Sequence, residues 1–234
     1  DDFLKVVKRS KDGLFPRQKT IWLLIVAAVF TFYITYIYDL GTDIIIPFAG
    51  IDVTYSLPVW AFVPFTIIVF YATTNSVNMT DGVDGLAAGV TLIVMVFFTV
   101  VAMTRNEWDS IKMFSSICAG GCLGFLAFNL HPAKVFMGDT GSLALGGAVA
   151  AAAVMMKMPW ILILAGGIYV IESLSVILQV ASFKLTGRRV FKMAPIHHHF
   201  ELSGWKENTV VKVFWTVTVF LCLLGFLTLR VRLF

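Results

Sequence analysis

The chain has 234 residues, of which 59% are hydrophobic and only 14% are charged. Soluble globular proteins carry roughly 25% charged residues, so this composition excludes an ordinary soluble domain and predicts a polytopic membrane protein. The net charge of +4 is too small to indicate nucleic-acid binding. The three cysteines all lie in apolar runs, which argues against a disulfide framework.

Seven apolar runs approach or exceed the roughly 20 residues that cross a bilayer core. They are Ile21–Ile37, Val59–Val77, Leu86–Thr104, Met113–Phe128, Ser142–Met156, Pro159–Phe183 and Thr209–Leu229. Residues 42–56 hold two short strand-like runs around Ala49 and Gly50, which predict a small β-hairpin outside the bilayer. The predicted fold is a single all-α polytopic domain over residues 1–234, with seven transmembrane helices and one extracytoplasmic hairpin.

Positive charge is unevenly divided between the two sides of this topology. Residues 1–20, 78–85, 129–141 and 184–208 fall on one side, which with Lys212 holds 13 of the 18 lysines and arginines. Lysine and arginine are in excess in cytoplasmic loops, so we expect these four segments to be cytoplasmic.

Polar residues are concentrated in these loops at the ends of apolar runs. The segment 75–85 contains Asn78, Asp81 and Asp84, and the segment 129–141 contains Asn129 and Asp139. Polar groups at the end of a membrane span are costly unless they face water or a ligand. One interpretation is that Asp81 and Asp84 merely cap the next helix. The recurrence of such segments on one face favours a binding site.

The expected cytoplasmic face gathers five aspartates, namely Asp1, Asp2, Asp81, Asp84 and Asp139. They would repel one another unless a cation lay between them, and carboxylate oxygens suit Mg²⁺ or Mn²⁺. Helices beginning after Gly85 and Gly141 would direct N–H groups at the same region, which favours a bound phosphate or diphosphate. Phe136 either stacks on a base or anchors the loop at the membrane interface.

Four motifs together give the chain a family resemblance. They are DDFLK at 1–5, NSVNMTDGVDGL at 75–86, NLHPAKVFMGDTGS at 129–142 and PIHHHFE at 195–201. The set resembles the polyprenyl-phosphate N-acetylhexosamine-1-phosphate transferases, and the triple histidine resembles the muramoyl-pentapeptide branch rather than the N-acetylglucosamine branch. Members of the family have ten spans, so the resemblance implies that this chain corresponds to the C-terminal seven.

The resemblance implies Mg²⁺-dependent phosphosugar transfer in peptidoglycan biosynthesis, on the cytoplasmic face of a bacterial inner membrane. Undecaprenyl phosphate would attack the β-phosphate of UDP-MurNAc-pentapeptide, UMP would leave, and lipid I would form. A homodimer remains an open expectation. One alternative is a relative that uses UDP-N-acetylglucosamine. The other is a lipid transporter or flippase, in which Glu172, the acid deep in the sixth apolar run, would be the residue of interest.

Match to the family's motifs assigns Asp139 as the magnesium ligand. Asp139, Asp1, Asp2 and His198 are expected to act in catalysis. A lipid phosphate is already largely dianionic at neutral pH, so Asp1 and Asp2 are expected to position groups or organise the metal, with Asp1 as a general base the alternative. The expected substrate-binding residues are Lys5, Asn78, Asp81, Asp84, Asn129, Phe136, Gly138, Ser142, Gln179, His197 and His199.

The segment His197–His199 has three interpretations. Consecutive side chains in a helix diverge by about 100°, which disfavours a zinc site because three adjacent rings cannot easily close on one ion. In a structural interpretation the rings pack at the lipid boundary. In the favoured one, one or two rings hydrogen-bond the diphosphate or the leaving phosphate, and another orders the loop.

Overall fold

The computed structural model describes residues 15–229, so the roles predicted for Asp1, Asp2 and Lys5 lie outside the described residues. Within that range the helices are α1 (Pro16–Phe32), α2 (Val59–Thr80), α3 (Leu86–Ala102), α4 (Asp109–Asn129), α5 (Gly138–Met155), α6 (Gly167–Thr186), α7 (Ile196–Glu201) and α8 (Glu207–Thr228). A π-helical turn at Tyr33–Ile37 extends α1, and 3-10 turns at Asn106–Trp108 and Pro159–Ile163 precede α4 and α6. Strands β1 (Asp43–Ile45) and β2 (Thr54–Ser56) form an antiparallel hairpin.

Six stretches of residues 15–229 are long and apolar enough to cross a membrane. They are Pro16–Ile37, Val59–Thr80, Asn106–Asn129, Gly138–Met155, Gly167–Thr186 and Glu207–Thr228. The remaining apolar helix, α3, has 17 residues and is therefore about 25 Å long at 1.5 Å per residue. The helical membrane fold and its hairpin are confirmed, and a seventh crossing depends on α3.

The boundaries predicted for the sixth apolar run, Pro159–Phe183, are wrong. The chain first makes a 3-10 turn, and α6 begins only at Gly167. Ser173 of α6 donates a 2.6 Å hydrogen bond to Ser76, one turn before the end of α2. Beyond this contact α2 continues for four residues and α6 for thirteen. The second half of α6 therefore extends past the end of α2.

The polar loops meet at one end of the helices, which we call the site end. There Lys19, near the start of α1, contacts Asp139 at the start of α5. In the turn between α2 and α3, Asp84 lies 3.2 Å from the ring of His131, which in turn lies 3.2 Å from Glu207 at the start of α8. The predicted convergence of the loops is therefore seen in side-chain contacts.

The opposite end carries the hairpin and is called the hairpin end. The backbone N–H of Ile45 donates to the carbonyl of Lys157 at 2.6 Å, and that of Ile51 donates to the carbonyl of Leu229 at 2.8 Å. The guanidinium of Arg105 contacts Asp52. The hairpin thus joins the loops that follow α3 and α5 and the end of α8.

Close packing of α2 on α5 brings the two halves of the site together. At Gly146 of α5 an added Cβ would lie 2.6 Å from the Cα of Thr74 in α2, so only glycine permits this approach. Val149, Ala150 and Ala153 of α5 are fully buried. Small residues allow helix backbones to approach closely in membrane proteins. Their contact holds the end of α2 beside the start of α5.

Candidate functional site

A cavity of about 280 Å³ opens at the site end. The end of α2, the turn after it, the loop between α4 and α5, and the start of α5 all contribute to its wall. The lining residues are Asn78, Asp81, Gly82, Val83, Asp84, Asn129, Phe136, Met137, Gly138 and Asp139. Seven residues predicted to bind substrate or metal therefore line one cavity, although they come from segments far apart in sequence.

Asp139 ties three helices together at the cavity. Its Oδ2 accepts a 2.5 Å hydrogen bond from the ammonium of Lys19, and its Oδ1 accepts one of 2.9 Å from the Asn78 side chain. The same Asn78 amide donates to the hydroxyl of Ser142 at 2.8 Å. Ser142, one turn further along α5, is fully buried. These contacts hold the Asp139 carboxylate at the cavity wall, with a cationic group already beside it.

Asp81 sits next to this carboxylate at the end of α2. Burial and the negative charge of Asp139 raise the pKa of Asp81 to about 7, against a smaller lowering by a hydrogen bond with Ser142. Two neighbouring carboxylates repel each other when both are ionised, and a cation between them removes this repulsion. Carboxylate, hydroxyl and amide oxygens are the ligands that Mg²⁺ prefers. The donor set around Asp81 and Asp139 therefore fits magnesium.

A second ionisable cluster holds Asp84. The carboxylate accepts a 3.0 Å hydrogen bond from the N–H of Ala133, and the N–H of Asp84 donates to Glu207 at 2.8 Å. Ligand atoms of Asp84, His131 and Glu207 all lie within 4.8 Å of one another. Sequence reasoning missed His131 and Glu207. His131 lies inside the second polar motif, but nothing in the spacing connects Glu207 with that motif.

Asn129 organises the cavity wall from behind. It is only 5% exposed, its Oδ1 accepts a 3.0 Å hydrogen bond from the N–H of Gly85, and its Nδ2 donates to the carbonyl of Val135 at 2.9 Å. Gly85 has a φ of +78°, a conformation that favours glycine. The amide of Asn129 thus joins two loops beside the cavity that it lines, and its contact with substrate stays a prediction.

Phe136 and Gly138 present different groups to the cavity. The ring of Phe136 is 75% exposed, which leaves its faces open to a flat ligand. Gly138 begins α5 with a φ of +67° and is exposed. These two residues flank Met137 at the edge of the cavity.

The three consecutive histidines take three different partners. His197 is fully buried, with Nδ1 3.0 Å from an oxygen of Glu172 in α6. Nδ1 of His198 lies 2.7 Å from Glu201 on the same short helix. The backbone N–H of Lys192 donates to Nδ1 of His199 at 3.1 Å, so this ring orders the loop before α7.

Gln179 lies away from the cavity, on the part of α6 that extends past α2. Its Oε1 accepts hydrogen bonds from the N–H groups of Val190 and Phe191 at 3.0 and 2.9 Å, and its Nε2 donates to the carbonyl of Phe191 at 3.0 Å. Every polar atom of this side chain therefore binds the following loop. These bonds give Gln179 a structural role in that loop, and its contact with substrate stays a prediction.

Glu172, predicted to lie within a span, is in α6, which is long and apolar enough to cross a membrane. It adjoins Ser173, whose hydroxyl donates to Ser76, one turn before the end of α2. Its side chain faces His197 at the site end. Its carboxyl group is therefore a buried, hydrogen-bonded partner of a histidine from the third polar segment.

Comparison with known proteins is consistent with the cavity and its motifs. Residues 1–157 match the family model of glycosyl transferase family 4. The chain is 67% identical to the phospho-N-acetylmuramoyl-pentapeptide-transferase of Acetivibrio thermocellus over 234 residues, which is all of this chain and 70% of that protein. It is 54% identical to the protein of the same name from Clostridium novyi and 56% identical to that from Clostridium kluyveri. Each of those alignments covers 98% of this chain, with 69% and 71% of the respective relatives.

These alignments extend over nearly the whole chain, so they include the polar motifs together with the helices that lie between them. The resemblance found in four short motifs is thereby confirmed. The chain belongs to glycosyl transferase family 4 and, within it, to the phospho-N-acetylmuramoyl-pentapeptide-transferases.

Proposed function

We propose that this protein transfers phospho-MurNAc-pentapeptide from UDP-MurNAc-pentapeptide to undecaprenyl phosphate, giving lipid I and UMP in the bacterial cytoplasmic membrane. The observation that carries the proposal is the 67% identity to a transferase of that name over every residue of the chain. The cavity at the site end supports it, because a water-soluble nucleotide sugar and a membrane lipid must meet where membrane spans end.

Magnesium is the cofactor that this donor set favours. Asp139 and Asp81 would hold the ion. Asn78 would keep the Asp139 carboxylate turned towards the cavity through its 2.9 Å hydrogen bond. When bound, the ion would neutralise negative charge on the diphosphate and on the departing UMP.

Two further side chains, one at the cavity wall and one beside Asp139, suit the two ends of the nucleotide. The exposed ring of Phe136 is available to stack on uracil. The ammonium of Lys19, beside Asp139, adds positive charge where phosphate oxygens would lie. In the reaction a phosphate oxygen of the lipid bonds to the β-phosphorus, and the bond from that phosphorus to the oxygen of UMP breaks. Asp1, Asp2 and Lys5 retain the roles that the family resemblance implies.

The site end is proposed to face the cytoplasm, with seven crossings between residues 15 and 229. Leu86 of α3 follows Gly85 at the site end, while Arg105, just beyond α3, contacts the hairpin. The helix therefore connects the two ends, although it has only 17 residues. Cysteine labelling in intact cells should place position 55, in the hairpin, outside and position 203, after α7, inside. The reverse pattern would contradict this orientation.

Substrate choice is tested with two nucleotide sugars. Purified full-length protein is given undecaprenyl phosphate, Mg²⁺ and either UDP-MurNAc-pentapeptide or UDP-N-acetylglucosamine, and the lipid product is identified by mass. We expect product from the muramoyl substrate alone. Product from UDP-N-acetylglucosamine alone would place the protein in the other branch.

A further inference from the structure

A fully buried acid and a fully buried histidine face each other behind the cavity. Glu172 of α6 and His197 of α7 have no exposed surface, and Nδ1 of the ring lies 3.0 Å from one carboxyl oxygen. Buried ionisable groups are costly and persist where they serve structure or function. Neither residue lines the cavity, and the proposed transfer gives neither a direct role.

Each partner also has a second polar atom without a hydrogen bond. Oε2 of Glu172 and Nε2 of His197 are both buried and unpartnered among the described residues. Nε2 is the ring atom nearest to Gly82, where an added Cβ would lie 2.3 Å from it. Gly82 lines the cavity between Asp81 and Asp84. The imidazole therefore fills the space left by the missing side chain and supports the turn from behind.

We propose that Glu172 and His197 form a positioning pair that sets where the turn carrying Asp81 stands relative to Asp139. The carboxyl group of Glu172 orients the ring of His197, and this ring packs against Gly82. Because Gly82 directly follows Asp81, the position of Gly82 fixes the backbone of Asp81. Groups that orient metal ligands from behind change metal affinity by about 10–100-fold when removed. The inference rests on the proposed metal-dependent transfer and adds two residues to it.

The loop between α6 and α7 determines where His197 lies. α7 begins at Ile196, directly after the loop that Gln179 and His199 hold together. That loop delivers His197 to α6 at the level of Glu172. The histidine segment thus reaches the aspartates through the backbone of Gly82, without a side chain entering the cavity.

The test measures metal binding and turnover separately. Full-length protein in detergent is titrated with Mn²⁺ alone by calorimetry, and kcat and the KM for the nucleotide sugar are measured in parallel. Glu172→Ala should weaken Mn²⁺ binding and lower kcat by about tenfold or more. The KM should change less, since Phe136 stands on another loop. Glu172→Gln keeps an acceptor for the ring and should restore most of both values.

The matched control is Tyr169→Phe. Tyr169 lies on the same helix, is buried, and shares a 2.8 Å hydrogen bond with Thr91 well inside the bundle. Its loss should lower thermal stability without changing Mn²⁺ affinity.

Gly82→Ala provides a second route if Glu172→Ala does not fold. Its methyl group would displace the ring while leaving Glu172 intact, and it should weaken Mn²⁺ binding as well. Unchanged Mn²⁺ affinity in Gly82→Ala and in a folded Glu172→Ala would overturn the positioning role while leaving the proposed function standing. Failure of the wild-type protein to bind Mn²⁺ would overturn the positioning role and the metal assignment together.

Discussion

Asn78 donates a 2.9 Å hydrogen bond to Asp139, although the two residues lie 61 positions apart on different helices. The bond joins the site ends of α2 and α5, two helices that also pack closely where Gly146 meets Thr74. It holds the Asp139 carboxylate next to Asp81, and this pair of acids is the centre of the proposed magnesium site.

Asp139→Asn should abolish turnover while leaving the fold intact. The change removes one ligand charge and the ion pair with Lys19 but keeps the side-chain volume. A loss of kcat by a factor on the order of 10² or more is the scale of one lost electrostatic contact. Asp109→Asn is the control, because that carboxylate pairs with Lys112 at the hairpin end. Near-normal activity at saturating Mg²⁺ would refute the assignment of Asp139.

Asp81 should make stability depend on pH. Its pKa is raised from 3.8 to about 7, so between these values the folded protein holds a proton that the unfolded chain has lost. Stability therefore falls as the pH rises through that window. Asp81→Asn should flatten the fall, and bound Mg²⁺ should shift it to lower pH by favouring the carboxylate. Thermal unfolding in detergent from pH 4 to 8 measures this. Parallel curves for wild type and Asp81→Asn would contradict it.

Phe136→Ala should weaken binding of uridine nucleotides by about 1–3 kcal/mol, the measured range for one base stacked on an aromatic side chain. The ring is 75% exposed at the rim of the cavity, so its removal should not disturb the core. Phe48→Ala, an exposed aromatic at the hairpin end, is the control. The affinity for UMP is measured by calorimetric titration. Equal affinities of wild type and Phe136→Ala would make Phe136 an interfacial anchor.

Single alanine substitutions of the three histidines should be unequal. His197→Ala leaves Glu172 buried without its partner and removes the support of Gly82, so it should cost the most, about 10–100-fold in kcat. His199→Ala should act through the loop that its ring orders. Three mild and equal variants would favour simple packing. Added Zn²⁺ should not replace Mg²⁺ in wild-type protein, and rescue by zinc would favour a metal site at the histidines.

The sequence was sufficient to predict the convergence of the loops but not the partners within them. Successive polar segments are separated by an even number of predicted crossings, two in each case, and hydropathy shows this order along the chain directly. The polar residues of these segments are therefore predicted to lie on the same side of the membrane. Asn78, Asp81 and Asp139 meet because of this simple parity.

Long-range pairing could not be read in the same way. Gln179 has a polar side chain of the kind that binds ligands, yet its amide accepts hydrogen bonds from the loop that immediately follows its helix. Glu172 is only five residues into α6, because the preceding segment forms a 3-10 turn that hydropathy does not distinguish from a continuous helix. Its partner His197 is 25 positions away. Such contacts depend on where a helix begins, which is the least predictable property of an apolar run.

The proposed role of the cavity at the site end is metal-dependent transfer of a phosphosugar to a membrane lipid. The most direct measurement is release of UMP from UDP-MurNAc-pentapeptide by the full-length protein, with undecaprenyl phosphate present and omitted, and with Mg²⁺ or a chelator. We expect UMP and an equal amount of lipid-linked sugar to form only when the acceptor lipid and Mg²⁺ are both supplied. Sustained UMP release without the acceptor, or equal rates in the chelator, would contradict it.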